Sequence, residues 1–307
     1  MVELLVATGL LLVVSAIVTT ALTQMRQSQR TISNRTAMHS GIRGATELLQ
    51  QEVGQAGLVS LPTTPTLSAA VVGAVCDGTN PSTNAVTVNV SSSTGMFAGM
   101  ALTTLDGDAS ETVSVVSVSS GSFRACFQGA HPSGTKVAPL GGFATGIVPP
   151  TGIANGSTGY VLKLYGDVNG DGNMVYVEYT CDLASRNLYR NMMPFDAPSK
   201  SAYPLTDGQI LLNNVVANPD GSPCFTYQTA PVSINGTTFT FVLDVAITLT
   251  VETEQVDPIT GGRQQETKAL LNVSPRNVFD AWAYASMGYT FRIQSTPVSV
   301  TSLLPTS

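Results

Sequence analysis

The run Asp167-Val168-Asn169-Gly170-Asp171-Gly172, followed by Glu178, sets oxygen-bearing side chains at alternate positions and a glycine where a loop must turn sharply. That spacing fits the calcium-loop pattern D-x-[DN]-x-[DN]-G-x5-E, and a hard cation such as Ca2+ takes oxygen ligands of this kind. Asp167, Asn169 and Asp171 are the candidate ligands. Glu178 is a poorer one, because residues 174–179 read as an extended strand that carries it roughly 15 Å from the loop. Asn-Gly and Asp-Gly steps also build an ordinary hairpin turn without any metal. Both readings stand at this level.

Four cysteines, Cys76, Cys126, Cys181 and Cys224, contain no CxxC pair, which excludes the common zinc and redox spacings. In an exported chain they would form two disulfides. Three pairings are open, and the nearest-neighbour one, Cys76–Cys126 with Cys181–Cys224, keeps each bridge within one β-rich segment. Four buried thiols are the alternative. Catalytic patterns are thin: there is no HExxH, GxSxG or P-loop, and only two histidines. His131, in Gly129-Ala130-His131-Pro132, reads as a β-turn residue, and His39 lies in a long helical stretch. The expectation is a protein that is not an enzyme.

Composition agrees with that expectation. Charged residues are 11% of 307, against roughly 25% in an average soluble domain, and the net charge of −6 argues against nucleic-acid binding through a basic surface.

The elements that hold these residues begin with a helix. Residues 2–22, VELLVATGLLLVVSAIVTTAL, are almost wholly apolar, and at about 1.5 Å per residue they match the hydrocarbon thickness of a bilayer. Nothing breaks the helix afterwards, because the first proline is Pro62. Met38, Ile42, Ala45, Leu49, Val53 and Ala56 recur at spacings of three and four, which predicts one apolar stripe on an otherwise polar helix. Gly57 and Pro62 are the stop signals. A carboxylate at Glu3, inside the apolar segment, costs on the order of 2–3 kcal/mol unless it is paired or reaches the headgroups. Arg26, Arg30, Arg35 and Arg43 line the next stretch, either as a solvated face or as partners for acidic residues of a neighbour.

Met1-Val2-Glu3-Leu4-Leu5-Val6-Ala7 resembles the start of mature type IV pilins and type II secretion pseudopilins. The resemblance puts Glu3 at the family's glutamate, fifth in the mature chain; this chain departs from the pattern in lacking the leader and the first two mature residues, so either the sequence is truncated or the true N-terminus differs. It implies that Glu3 pairs with the terminal amine of a neighbouring subunit, and it groups Met1, Glu3, Arg26 and Arg30 as assembly residues. The family's helix-kinking proline is replaced here by the Thr19-Thr20 region. The resemblance also implies a leader that holds the N-terminus inside, so the bulk of the chain is expected outside despite the arginines after the apolar run. Implied partners are copies of the same chain in a helical filament, other pilins, the assembly machinery, and the inner membrane before assembly. A low-copy priming or capping subunit is the second reading, and a membrane-tethered, calcium-stabilised adhesin or hydrolase the third.

The expected fold class is α+β: a long N-terminal helix (1–57), a first β-rich portion (58–150) and a second with a C-terminal tail (151–307). Alternating residues 85–90 and 245–251 read as strands, Asn235-Gly236 as a two-residue hairpin, and residues 257–262 as another turn. Asn187-Leu188-Tyr189-Arg190 and the DxNGDG hairpin have counterparts in the larger minor-pilin members.

Overall fold

The computed structural model describes residues 1–78, 80–234 and 236–305. Helix α1 runs unbroken over Val2–Gln55, about 80 Å at ~1.5 Å per residue. It ends where Gly57 turns into the left-handed region at φ +82°. A Cβ at Gly57 would meet Val278 Cγ2 at 2.9 Å, so only glycine serves this stop.

Sixteen strands follow among the described residues. In the first portion β1 (Val86–Asn89), β4 (Ser117–Ser119) and β5 (Ser122–Ala125) form one antiparallel sheet with β5 central, and β2 (Ala101–Thr104), β3 (Thr112–Ser114) and β6 (Val137–Pro139) a second with β2 central. β7 (Gly142–Phe143) pairs in parallel with β16 (Ile293–Gln294). A four-stranded antiparallel meander contains β8 (Val161–Gly166), β9 (Val175–Asp182), β10 (Asn187–Pro194) and β11 (Ile210–Asn213) in order 11-10-9-8. The last sheet centres on β14 (Thr237–Glu252). β13 (Phe225–Ile234) and β12 (Val215–Val216) lie along one edge of it, and β15 (Gln265–Val273) along the other. The α+β reading holds. Of the expected Asn235-Gly236 hairpin, Asn235 lies outside the described residues.

The meander is two-faced, as alternation demands. Leu162, Leu164, Val177, Tyr179, Cys181 and Leu188 pack with Ile42, Ala45, Leu49, Val53 and Ala56 of α1 and with the β14 face. The opposite face gives Tyr165, Tyr176 and Met193 to a core shared with Leu102, Phe123 and Phe127 of the first portion. This core therefore crosses residue 150. It also takes in Val300, Leu303 and Leu304, from the short helix α3 (Val298–Leu303) and the residue after it.

The C-terminal stretch docks on its own chain. Helix α2 (Arg276–Ser286) buries Val278, Ala281 and Ala285 at spacings of three and four, and these pack with Ala144 and Phe241. The two disulfides are Cys76–Cys126 and Cys181–Cys224. With sequence separations of 50 and 43, each closure restricts the unfolded chain by about 4 kcal/mol in the loop-entropy account.

Candidate functional site

The first candidate is α1 itself. Residues 1–26 are exposed on every side, including Leu4, Leu5, Leu10, Leu11, Leu12 and Ile17. A helix apolar all round has no place in water, so this half needs lipid or other chains around it. Glu3 stands in the first turn, where a carboxylate interacts favourably with the unpaired N–H groups of the helix start. Arg26 and Arg30 are exposed beyond the apolar run. Further along, Arg43 donates from Nε to Glu47 Oε1 at 2.8 Å; this hydrogen bond, with the attached charges, raises the guanidinium and lowers the carboxyl from their ordinary values.

Where α1 meets the meander, Glu52 is 2% exposed. Arg190 of β10 donates to it from Nε at 3.0 and 3.2 Å and also from Nη2, while the Tyr179 hydroxyl of β9 donates to its Oε2. Burial works against the Arg190 charge, but the hydrogen bonds and charge of Glu52 outweigh it and hold the guanidinium above its usual range. Burial, reinforced by Glu52, pushes the Tyr179 phenol well upward, so it stays a donor. Breaking one member of such a group leaves an uncompensated charge, which gives the helix one favoured axial and rotational seat on the sheet.

The DxNGDG segment joins β8 to β9 as a hairpin. Asp167 is 3% exposed, and its carboxylate accepts from Asp171 N at 3.1 Å, Gly172 N at 2.9 Å and Ser60 Oγ at 2.8 Å. Asp171 Oδ1 accepts from Asn173 N; Asn169 and Asp171 are exposed. The strand pairing runs from Gly166↔Val175 to Lys163↔Glu178, so Glu178 is carried three pairs away from the loop. Asp167 is thus occupied by protein donors, Glu178 is elsewhere, and among the described residues no group of three or more acidic, His or Cys side chains is gathered.

Glu178 has other work. Tyr176 donates to it at 2.7 Å and Lys200 at 2.6–2.7 Å, with Lys163 Nζ 3.6 Å away. Lys163, 2% exposed, also donates to Leu304 O at 2.6 Å and Asn155 O at 3.0 Å, and Lys200 donates to Pro305 O at 3.3 Å. The cluster clasps the C-terminal stretch onto the meander. Burial pushes the Lys163 ammonium below its ordinary value; Glu178 opposes this and the neighbouring Lys200 charge adds to it.

Sequence reasoning missed the His131 node. Its ring is buried, with Nδ1 2.5 Å from Asp106 Oδ2 and Nε2 2.6 Å from Glu111 Oε1. Glu111 in turn accepts from Gln128 N and Gly129 N at 2.9 and 3.0 Å. Burial would lower His131, but the two carboxylates, by hydrogen bond and by charge, bring it above its usual value. Asp106 is held low, chiefly by its bond to His131. Both ring nitrogens are engaged by carboxylates, so the ring stitches two loops together. With so few charged residues in the chain, Asp106 and Glu111 flanking one turn were the available signal.

No protein-family model and no curated protein matches this chain.

Proposed function

We propose that the chain is a structural subunit of a type IV pilus-like extracellular filament, stored in the inner membrane by the first half of α1 and then packed through that half against copies of itself. The observation that carries this reading is the two-part helix. Residues 2–22 are almost wholly apolar and uncovered, while the stripe from Ile42 to Ala56 is buried in the chain's own core. The role is assembly, not catalysis. Glu3 sets register: an unpaired carboxylate in an apolar bundle is costly, and one axial offset brings a neighbour's terminal amine to it. Arg26 and Arg30 supply exposed cations for acidic groups of adjoining subunits. Other pilins and the export machinery are the remaining partners.

The test is electron microscopy of sheared surface material from cells carrying the native chain or Glu3→Ala. Filaments with the native chain and none or few with the variant, while the β-rich region keeps its melting temperature, is the expected result. Normal filament yield from Glu3→Ala refutes the register role. The large β-rich region seated on α1 favours a second reading, a low-copy subunit at a filament end. Immunogold labelling along the shaft supports the first reading, and labelling confined to one end supports the second.

A further inference from the structure

The hairpin between β14 and β15 descends along α1 toward its apolar half. Asn34, Ala37 and Met38 line a cleft with Glu252 and Glu254, His39 is paired with Glu266, and Thr31 Oγ1 donates to Asp257 Oδ1 at 2.9 Å. These contacts make a ruler: as the helix number falls from 39 to 31, the hairpin advances from its strands into its turn. That turn is tight. Asp257 N donates to Gly262 O at 2.9 Å, Gly261 N to Asp257 O at 2.8 Å, and Ile259 N to Asp257 Oδ1 at 2.9 Å. At its tip Ile259 is 65% exposed and Val256 53% exposed. Nothing in the described chain covers them, although Asp257 between them is buried.

The level of this tip on the helix is informative. Thr31 directly follows Arg30, and Arg26 is the first cation after the apolar run. Arginines at the end of a spanning segment sit among headgroups. The headgroup layer is about 5–7 Å thick on each side of the hydrocarbon, and Arg26 to Thr31 is about 7 Å of helix. Two further residues of chain beyond Asp257 reach at most about 7 Å. The apolar tip therefore lies at headgroup depth whenever the first half of α1 spans a bilayer.

We infer that the β14–β15 hairpin tip is a second membrane contact, with Ile259 and Val256 immersed in the lipid headgroup layer and Arg26 and Arg30 beside them on the phosphates. This rests on the membrane-stored reading of α1 given above. Two contacts, one spanning and one interfacial, fix the rotation of the rod in the bilayer as a single helix cannot, and so present one chosen face of α1 to an arriving neighbour.

All four native cysteines are in disulfides, so one added cysteine gives a single labelling site in the full chain. Ile259→Cys, Leu12→Cys and Leu105→Cys, each carrying an environment-sensitive fluorophore, are placed one copy per nanodisc in phosphatidylethanolamine and phosphatidylglycerol. The expected result is strong quenching of position 12 by acyl-chain nitroxides. Quenching of position 259 by headgroup nitroxides should exceed that of position 105, a solvent-facing reference, by about threefold. Quenching at 259 equal to that at 105, with 12 still quenched, overturns the hairpin contact and leaves the spanning helix standing. Loss of quenching at 12 as well overturns the membrane reading itself. The variant Ile259→Asp with the label at Val256→Cys is the second check: the carboxylate should abolish the headgroup quenching, and unchanged quenching counts against immersion.

Discussion

The two halves of α1 share one backbone geometry and differ only in what surrounds them. From Val2 to Met25 apolar side chains point in all directions and none is buried by the described residues. From Met38 to Ala56 they occupy one stripe, and the meander and β14 cover it. The lesson is that side-chain distribution around a helix, more than its overall hydrophobicity, records the partner: a full circumference calls for lipid or a bundle, and a stripe calls for a sheet. Glu3 and Glu52 mark the same division. Each is a carboxylate in an apolar setting, but Glu52 has Arg190 and Tyr179 within its own chain, whereas Glu3 stands exposed in the first turn of α1.

That contrast can be broken in graded steps. The largest effect is expected from replacing residues 2–25 with an unrelated polyleucine anchor that keeps the membrane location. Filaments should disappear while the melting temperature of the β-rich region stays the same, and filaments in normal number would mean that this half carries no assembly information. Next, Glu52→Ala should destabilise the fold by about 4 kcal/mol, since it strands Arg190 beside Tyr179; chemical denaturation measures it. Leu49→Ala, at a fully buried position, should cost about 3 kcal/mol, whereas Leu12→Ala should leave the denaturation midpoint of the β-rich region unchanged.

Smaller effects test the polar nodes. His131 has a raised value in the fold, so its contribution is fully present below about pH 6.5, its unfolded value, and is lost as the pH rises through the raised one. Asp106, held low, contributes above its unfolded value and loses that contribution as the pH falls through the depressed one. Melting temperature should accordingly decline as the pH rises above about 6.5 and through the raised value, and His131→Asn should flatten that decline. The smallest effect belongs to calcium. Because Asp167 is satisfied by protein donors, EDTA or millimolar Ca2+ should leave the melting temperature unmoved, and a clear rise with Ca2+ would overturn the self-contained turn.

Much of this architecture could be read in the residues. The stripe on α1, the stop at Gly57, the alternating runs that became β1 and part of β14, and the pairing of β8 with β9 are local patterns, set by the periodicity of one element. The cysteine pairing favoured by proximity is the one present. Long-range placements stayed hidden. Lys163, Glu178 and Asn191 lie on one row across β8, β9 and β10, which depends on register; the sequence places Glu178 only by its distance from the loop. Asp106 and Glu111 meet His131 across two turns, and α3 lies in the Pro/Ser/Thr-rich end of a stretch from Ala281 that reads as a tail. In each case a charge or short helix is stabilised by partners more than a dozen residues away, and no local period reports them.

Gly57 has a mechanical consequence. Its N–H bonds Tyr165 O at 2.9 Å, its carbonyl accepts from Phe143 N at 3.0 Å, and Asn277 Nδ2 donates to Gln55 O at 3.0 Å just before it. Tension applied along α1 would thus be delivered to the middle of the β-rich region, where β7, β8 and α2 converge. Three elements would share the load, and twist imposed at the apolar end of the rod would turn the β-rich region with it.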